Sequence, residues 1–227
     1  MPEPLETIEI ETGPAPSASM ILLHGLGADG NDLVPMAPEF GLADTLSVRF
    51  VFPHAPLRPV TLNRGYVMRA WYDIVERDGV WREEFASVRE SGRLVEALLE
   101  REKGRGIVAH RIVLAGFSQG GAMALYAGLR HGERLAGVLA LSCALPLADT
   151  LAFEASPANR DTPIFMAHGA HDPVVPLGRA TRSRDVLTGL DYRVTWREYP
   201  MPHSICPEEV NDIAGWLARV LASDPPR

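Results

Sequence analysis

The chain has 227 residues, 46% of them hydrophobic, with a formal net charge of -7 at pH 7. That length and apolar content suit one domain with a large core, and the acidic balance without any Lys/Arg run argues against a nucleic-acid partner or an anionic membrane patch. Cys143 and Cys206 are the only cysteines and have no CxxC spacing, which argues against a disulfide framework or a zinc site and for a reducing compartment. Residues 1–19 carry no basic segment followed by an apolar stretch, and the run Met20 to Leu23 is far too short to span a bilayer, so a cytoplasmic location without integral membrane association is expected.

Leu5 to Glu11 alternates apolar and polar side chains and reads as an outer antiparallel strand. Met20 to Leu23 reads as a buried strand ending at His24 and the glycine-rich loop GLGADGND. A helix over about Asp32 to Phe40 and a buried strand over Val48 to Phe52 follow, and this alternation is the mark of an α/β sheet. Pro53 to Glu83 differs: Pro53, Pro56, Pro59 and Gly65 interrupt it and Tyr66, Trp71, Tyr72 and Trp81 stud it. It reads as a long irregular connection, a class of segment that usually serves function. An amphipathic helix is expected over Glu84 to Lys103. Strands at Leu135 to Ser142, Pro163 to Ala167 and Arg193 to Tyr199 and helices at Leu177 to Leu187 and Pro207 to Leu221 complete the series. The segment between Leu145 and Thr162 is too short for a helical lid, so the Pro53 to Glu83 loop should wall an open site.

The segment Arg111 to Ala127, RIVLAGFSQGGAMALYA, changes period abruptly. Ile112 to Ala115 is a short apolar run, as expected of a strand buried on both faces. From Gln119 onward Ala122, Met123, Leu125, Tyr126 and Leu129 recur at helical spacing, and Gly132 offers a stop. Ser118 therefore sits in a tight strand-to-helix turn between Gly116 and Gly120, with Gly121 beyond, where small neighbours accommodate a strained nucleophile.

A serine hydroxyl is a weak nucleophile near neutral pH and needs a base within hydrogen-bond reach and an acid to hold that base. With the chain order Ser, Asp, His, the acid is Asp172, in the turn HGAHD after one buried strand. The base is His203, after the last strand. His24, His54 and His110 precede Ser118 and His131 lies on the elbow helix, while His168 and His171 read as structural hydrogen-bond partners. Asp161 and Asp191 stand at the wrong ends of their strands. Donors for an oxyanion should come from the Gln119 amide and from the HGLG loop at His24 to Gly27. The glycines of GLGADG lack the spacing of a phosphate-binding turn.

With HGLGADGND, FPHAPLRPVTLNRGYVMRAWYDI, GFSQGGAMAL, HGAHDPVVP and YPMPHSICPEEV in one order, the chain resembles the phospholipase/carboxylesterase family of α/β-hydrolases over nearly its whole length. That family includes bacterial carboxylesterases and eukaryotic acyl-protein thioesterases. The resemblance implies one α/β-hydrolase domain over 1–227, with a mostly parallel central sheet, helices on both faces and no cap domain. It implies Ser118, Asp172 and His203 as the triad, the amides of Leu26 and Gln119 as the oxyanion hole, and Trp71 as a wall of the acyl pocket. For Trp71 the alternative of an anchor tying the long loop to the core stays open, and Cys206 is expected to line the site without a chemical role.

The implied activity is a serine carboxylesterase acting on short- to medium-chain esters through an acyl-serine. The alternative is an acyl-protein thioesterase or lysophospholipase for long chains. A non-catalytic binder on this fold is the remaining reading, and an ordered triad speaks against it. No metal or organic cofactor is expected; the partner is a small ester or thioester, and a homodimer is left open. Pro202 before the base, Ala144 and His54 depart from the family pattern.

Overall fold

The computed structural model describes residues 4–42 and 46–222. The chain opens with β1 (Thr7–Glu11) and β2 (Ala18–Leu23), then a short helix α1 (Met36–Glu39) and β3 (Val48–Pro53). Two small hairpins follow, β4 (Leu57–Val60) with β5 (Tyr66–Arg69), and β6 (Ile74–Arg77) with β7 (Val80–Glu83). The long helix α2 (Phe85–Gly104) leads to β8 (Ile112–Phe117) and α3 (Gln119–Gly128). The chain closes with β9 (Gly137–Leu141), α4 (Leu151–Glu154), β10 (Ile164–Gly169), α5 (Leu177–Gly189), β11 (Val194–Tyr199) and α6 (Pro207–Ala222).

Seven strands form one sheet in the order β1-β3-β2-β8-β9-β10-β11, parallel throughout except for the antiparallel edge strand β1. The inner strands are continuous apolar runs because helices cover both faces. On one face Ile21, Leu23, Ile112 and Leu114 pack with Val95 and Leu98 of α2 and Met123 and Leu125 of α3. On the other, Met20, Leu22, Val113 and Ala115 pack with Ala37 of α1 and Ile213, Trp216 and Leu217 of α6. Parallel strands put β2, β8, β10 and β11 with their carboxyl ends at one edge, where ligands bind in such sheets. Among the described residues no helix is long and apolar enough to cross a membrane.

The expected helix over Asp32 to Phe40 is instead a 3-10 turn, Gly30–Leu33, followed by the single turn α1. Pro35 and Pro38 lack the amides that a continuous helix would need, and Asp29 and Asp32 close a capping box on the first turn. The Pro53 to Glu83 connection is not irregular: its prolines and glycines shape the two hairpins. The elbow helix ends at Gly128, ahead of the expected stop at Gly132.

Helix α3 is buried along its entire length and starts directly over the end of β2. A Cβ on Gly120 would stand 2.0 Å from the carbonyl oxygen of Leu23. Gly120→Ala must push α3 off the sheet, an overpacking cost of about 1–3 kcal/mol that should lower Tm by roughly 2–12 °C in a thermal melt.

Candidate active site

Ser118 occupies the turn between β8 and α3 with φ 55° and ψ -120°, a conformation that non-glycine residues rarely adopt. Its amide donates to the Leu141 carbonyl (2.8 Å), which ties the turn to the neighbouring strand. Asp172 follows β10, where its Oδ1 accepts from the amides of Val174 and Val175 (both 2.8 Å). His203 follows β11. The two loops can meet because Gly169 has no side chain: a Cβ there would lie 2.3 Å from the Pro202 carbonyl oxygen. Pro202 thus offers its carbonyl to a close backbone crossing.

The three side chains form one chain of hydrogen bonds. His203 Nε2 lies 2.9 Å from Ser118 Oγ, and His203 Nδ1 lies 2.6 Å from Asp172 Oδ2. Burial pushes the Asp172 carboxyl up, but the hydrogen bonds from His203, Val175 and Val174 outweigh it and hold the group below its ordinary value. Asp172 is thus a carboxylate at neutral pH, which fixes Nδ1 of His203 as the protonated nitrogen and leaves Nε2 facing the serine. Phe117 packs on the imidazole at a centroid distance of 4.7 Å. His168 donates from Nε2 to the Val175 carbonyl (2.8 Å) and lies 3.3 Å from Asp172 Oδ2, a support for the acid loop.

Leu26 and Gln119 line the same cavity as Ser118. Among the described residues neither backbone amide has a hydrogen-bond acceptor in the protein, as expected for the first residue of a helix and for a loop kept open. The loop is held by His24, a clamp the sequence did not disclose. Its Nδ1 donates to the Gly25 carbonyl (2.7 Å) and its Nε2 accepts from the Ala55 amide (2.9 Å). Burial lowers the His24 pKa, so the ring is neutral in the one tautomer that serves both bonds. His54 in turn accepts from the Gly30 amide at Nδ1 (3.1 Å).

Two cavities meet at Ser118. One, of about 280 Å³, runs under the hairpins and is lined by Tyr72, Ile74, Trp81, Ala122 and Cys143. Ala144 also lines it. The Cys143 thiol is fully buried there, and burial pushes its pKa far up. The other, of about 710 Å³, is an open cleft bordered by Met36, Phe117, His203, Ile205 and Val210. Cys206 is absent from both walls, contrary to expectation, and burial raises its thiol too.

The phospholipase/carboxylesterase family model matches residues 5–221. The chain belongs to that family. It is 39% identical over 220 residues to acyl-protein thioesterase 1 of Gibberella zeae, covering 93% of this chain and 92% of that protein. Among solved structures, acyl-protein thioesterase 2 of Zea mays superposes with a TM-score of 0.80 at 28% identity, over 95% of this chain and 99% of that one. Esterase PE8 superposes with a TM-score of 0.82 at 26% identity, over 96% and 100%. The fold is therefore that of the α/β-hydrolases, and the protein is a serine hydrolase acting on carboxylic esters or thioesters.

Trp71 is not a pocket wall. It is fully buried and absent from the linings of both cavities beside Ser118. Its indole Nε1 donates to the His24 carbonyl (2.9 Å), its amide donates to Gln119 Oε1 (2.7 Å), and its carbonyl accepts from Ser91 Oγ. Gln119 completes the brace by donating from Nε2 to the Tyr72 carbonyl (2.7 Å). A large aromatic with a polar handle satisfied on all sides is an anchor of the loop after β2. Tyr72, Ile74 and Trp81 line the cavity under the hairpins instead. Trp71→Ala should cost about 3–5 kcal/mol of stability in a denaturant melt. The ratio of octanoate to butyrate ester turnover should shift far less than the overall rate.

Proposed function

We propose that the protein hydrolyses fatty acyl thioesters and esters with a bulky leaving group, in the manner of the acyl-protein thioesterases it is related to, by attack of Ser118. The carrying observation is the asymmetry of the two cavities: His203 borders the 710 Å³ cleft and is absent from the 280 Å³ pocket. A general acid must face the group that departs, so the open cleft takes the leaving group and the pocket under the hairpins takes the acyl chain. A cleft of that size accommodates far more than a small alcohol. The names of relatives at 36% to 41% identity support the same choice. The expectation of a short- to medium-chain carboxylesterase therefore gives way to the thioesterase alternative.

In this reading His203 Nε2 takes the Ser118 proton as Oγ attacks the acyl carbonyl, and Asp172 stabilises the imidazolium that forms. The Leu26 and Gln119 amides receive the developing oxyanion. Collapse expels a thiolate or alkoxide, to which Nε2 returns the proton. Water, activated by the same nitrogen, then releases the acyl group from Ser118.

Asp172→Asn keeps the shape but loses the charge that fixes the imidazole, and kcat should fall by about 10⁴-fold with KM nearly constant. Hydrolysis of an S-palmitoylated peptide, followed by free thiol release, tests the substrate class. Turnover at a rate comparable to the corresponding oxygen ester, lost in Ser118→Ala, is the expected result. Ester turnover without measurable thioester turnover would return the protein to the carboxylesterase reading.

A further inference from the structure

The acyl pocket under the hairpins has a neighbour. A groove of about 690 Å³ lies beyond it, lined by Val80, Phe85, Leu145, Leu147 and Ala148. The two share one partition, made by Trp81, Arg82, Glu83 and Arg179. Across it runs an ion pair: Arg179, in the first turn of α5, donates from its guanidinium to Glu83 Oε1, at the end of β7, at 2.6 Å.

The inner pocket, at about 280 Å³, is smaller than the roughly 300–1,000 Å³ usual for a ligand site. The groove beyond the partition is partly open and mixed in character: Val80 and Phe85, each about half exposed, form with Leu145, Leu147 and Ala148 an apolar strip edged by Arg77, Asp149, Thr150 and Arg182. A chain that ends inside the inner pocket never meets the ion pair, whereas a longer one must part it or stop. The pair is also poorly placed to be a structural staple, because the Arg179 side chain is 42% exposed and such pairs contribute little to stability.

We propose that the Glu83–Arg179 ion pair is the gate that sets acyl-chain length, dividing the acyl site into an inner compartment and an outer groove for the tail of a long chain. The inference rests on the assignment of the pocket under the hairpins to the acyl group. Closed, the pair makes the gain from each added methylene level off once the inner compartment is full. Opened, the gain resumes along the outer groove at up to about fourfold per methylene buried.

The test compares octanoate with palmitate in two ways: kcat/KM on the p-nitrophenyl esters and Kd for the free fatty acids. Three variants are measured beside the wild type: Arg179→Ala, Arg179→Glu, and the charge swap Arg179→Glu with Glu83→Arg. Arg179→Ala and Arg179→Glu should raise the preference for palmitate over octanoate by tenfold or more in both measurements, and the charge swap should restore it to within about threefold of wild type, since a tenfold change corresponds to roughly two further buried methylenes. A palmitate preference that stays at the wild-type value in Arg179→Ala overturns the gate. So does a swapped protein as permissive as Arg179→Ala, because bulk rather than pairing would then set the limit. The fatty-acid Kd values test the gate without any turnover, so a wild-type protein that hydrolyses neither ester would count against the hydrolytic reading alone.

Discussion

The close crossing of α3 over the end of β2 is the contact from which the site is built. With Gly120 against the Leu23 carbonyl, the first turn of the helix reaches the loop that follows β2, so the Gln119 amide and the Leu26 amide come to line one cavity with Ser118. The strained turn at Ser118 is the price of that approach, and it persists because the amide bond to Leu141 and the buried length of α3 over-determine it. Asp172 and His203 arrive independently, each from the carboxyl end of a parallel strand, and their loops meet at the side-chain-free crossing at Gly169.

Around this frame lies a second layer that does no chemistry and holds the donors in place. The neutral His24 ring, the Trp71 indole and the Gln119 carboxamide join the loop after β2, the link between the hairpins and helix α3 into one hydrogen-bonded unit. Oxyanion stabilisation depends on dipoles that need no reorganisation during the reaction, and in the proposed reading this brace would supply that rigidity to the Leu26 and Gln119 amides. The hairpins line the smaller cavity, and the brace grips the link between them at Trp71 and Tyr72.

Most of the sheet was legible in the sequence because buried parallel strands are continuous apolar runs and their helices keep a clear period. Ser118, Asp172 and His203 were legible for the same reason: each stands just beyond such a run, and the structure brings the three within hydrogen-bond distance. What failed were readings that local pattern cannot carry. The stretch around Asp32 to Phe40 has helical spacing, yet Pro35 and Pro38 veto the continuous hydrogen-bond ladder. The hairpins between Pro53 and Glu83 are short, polar and rich in breakers, so they resemble a loop. Trp71 stays open in the sequence because its residue type fits a pocket wall and an anchor equally well, and only the bonds to His24 and Gln119 decide between them. The Glu83 and Arg179 pair joins residues 96 positions apart, a separation no periodicity reports.

Cys143 borders the cavity under the hairpins together with Ser118, where in the proposed reading the acyl group would come to rest. A thiolate in that position would compete with water, capturing the acyl group by transfer from oxygen to sulfur and leaving the protein a dead-end thioester of its own. Burial suppresses that side reaction by keeping the sulfur protonated and weakly nucleophilic. The apolar lining that would receive the proposed acyl chain thus also disarms this thiol, and the acyl group would be left for solvent to claim.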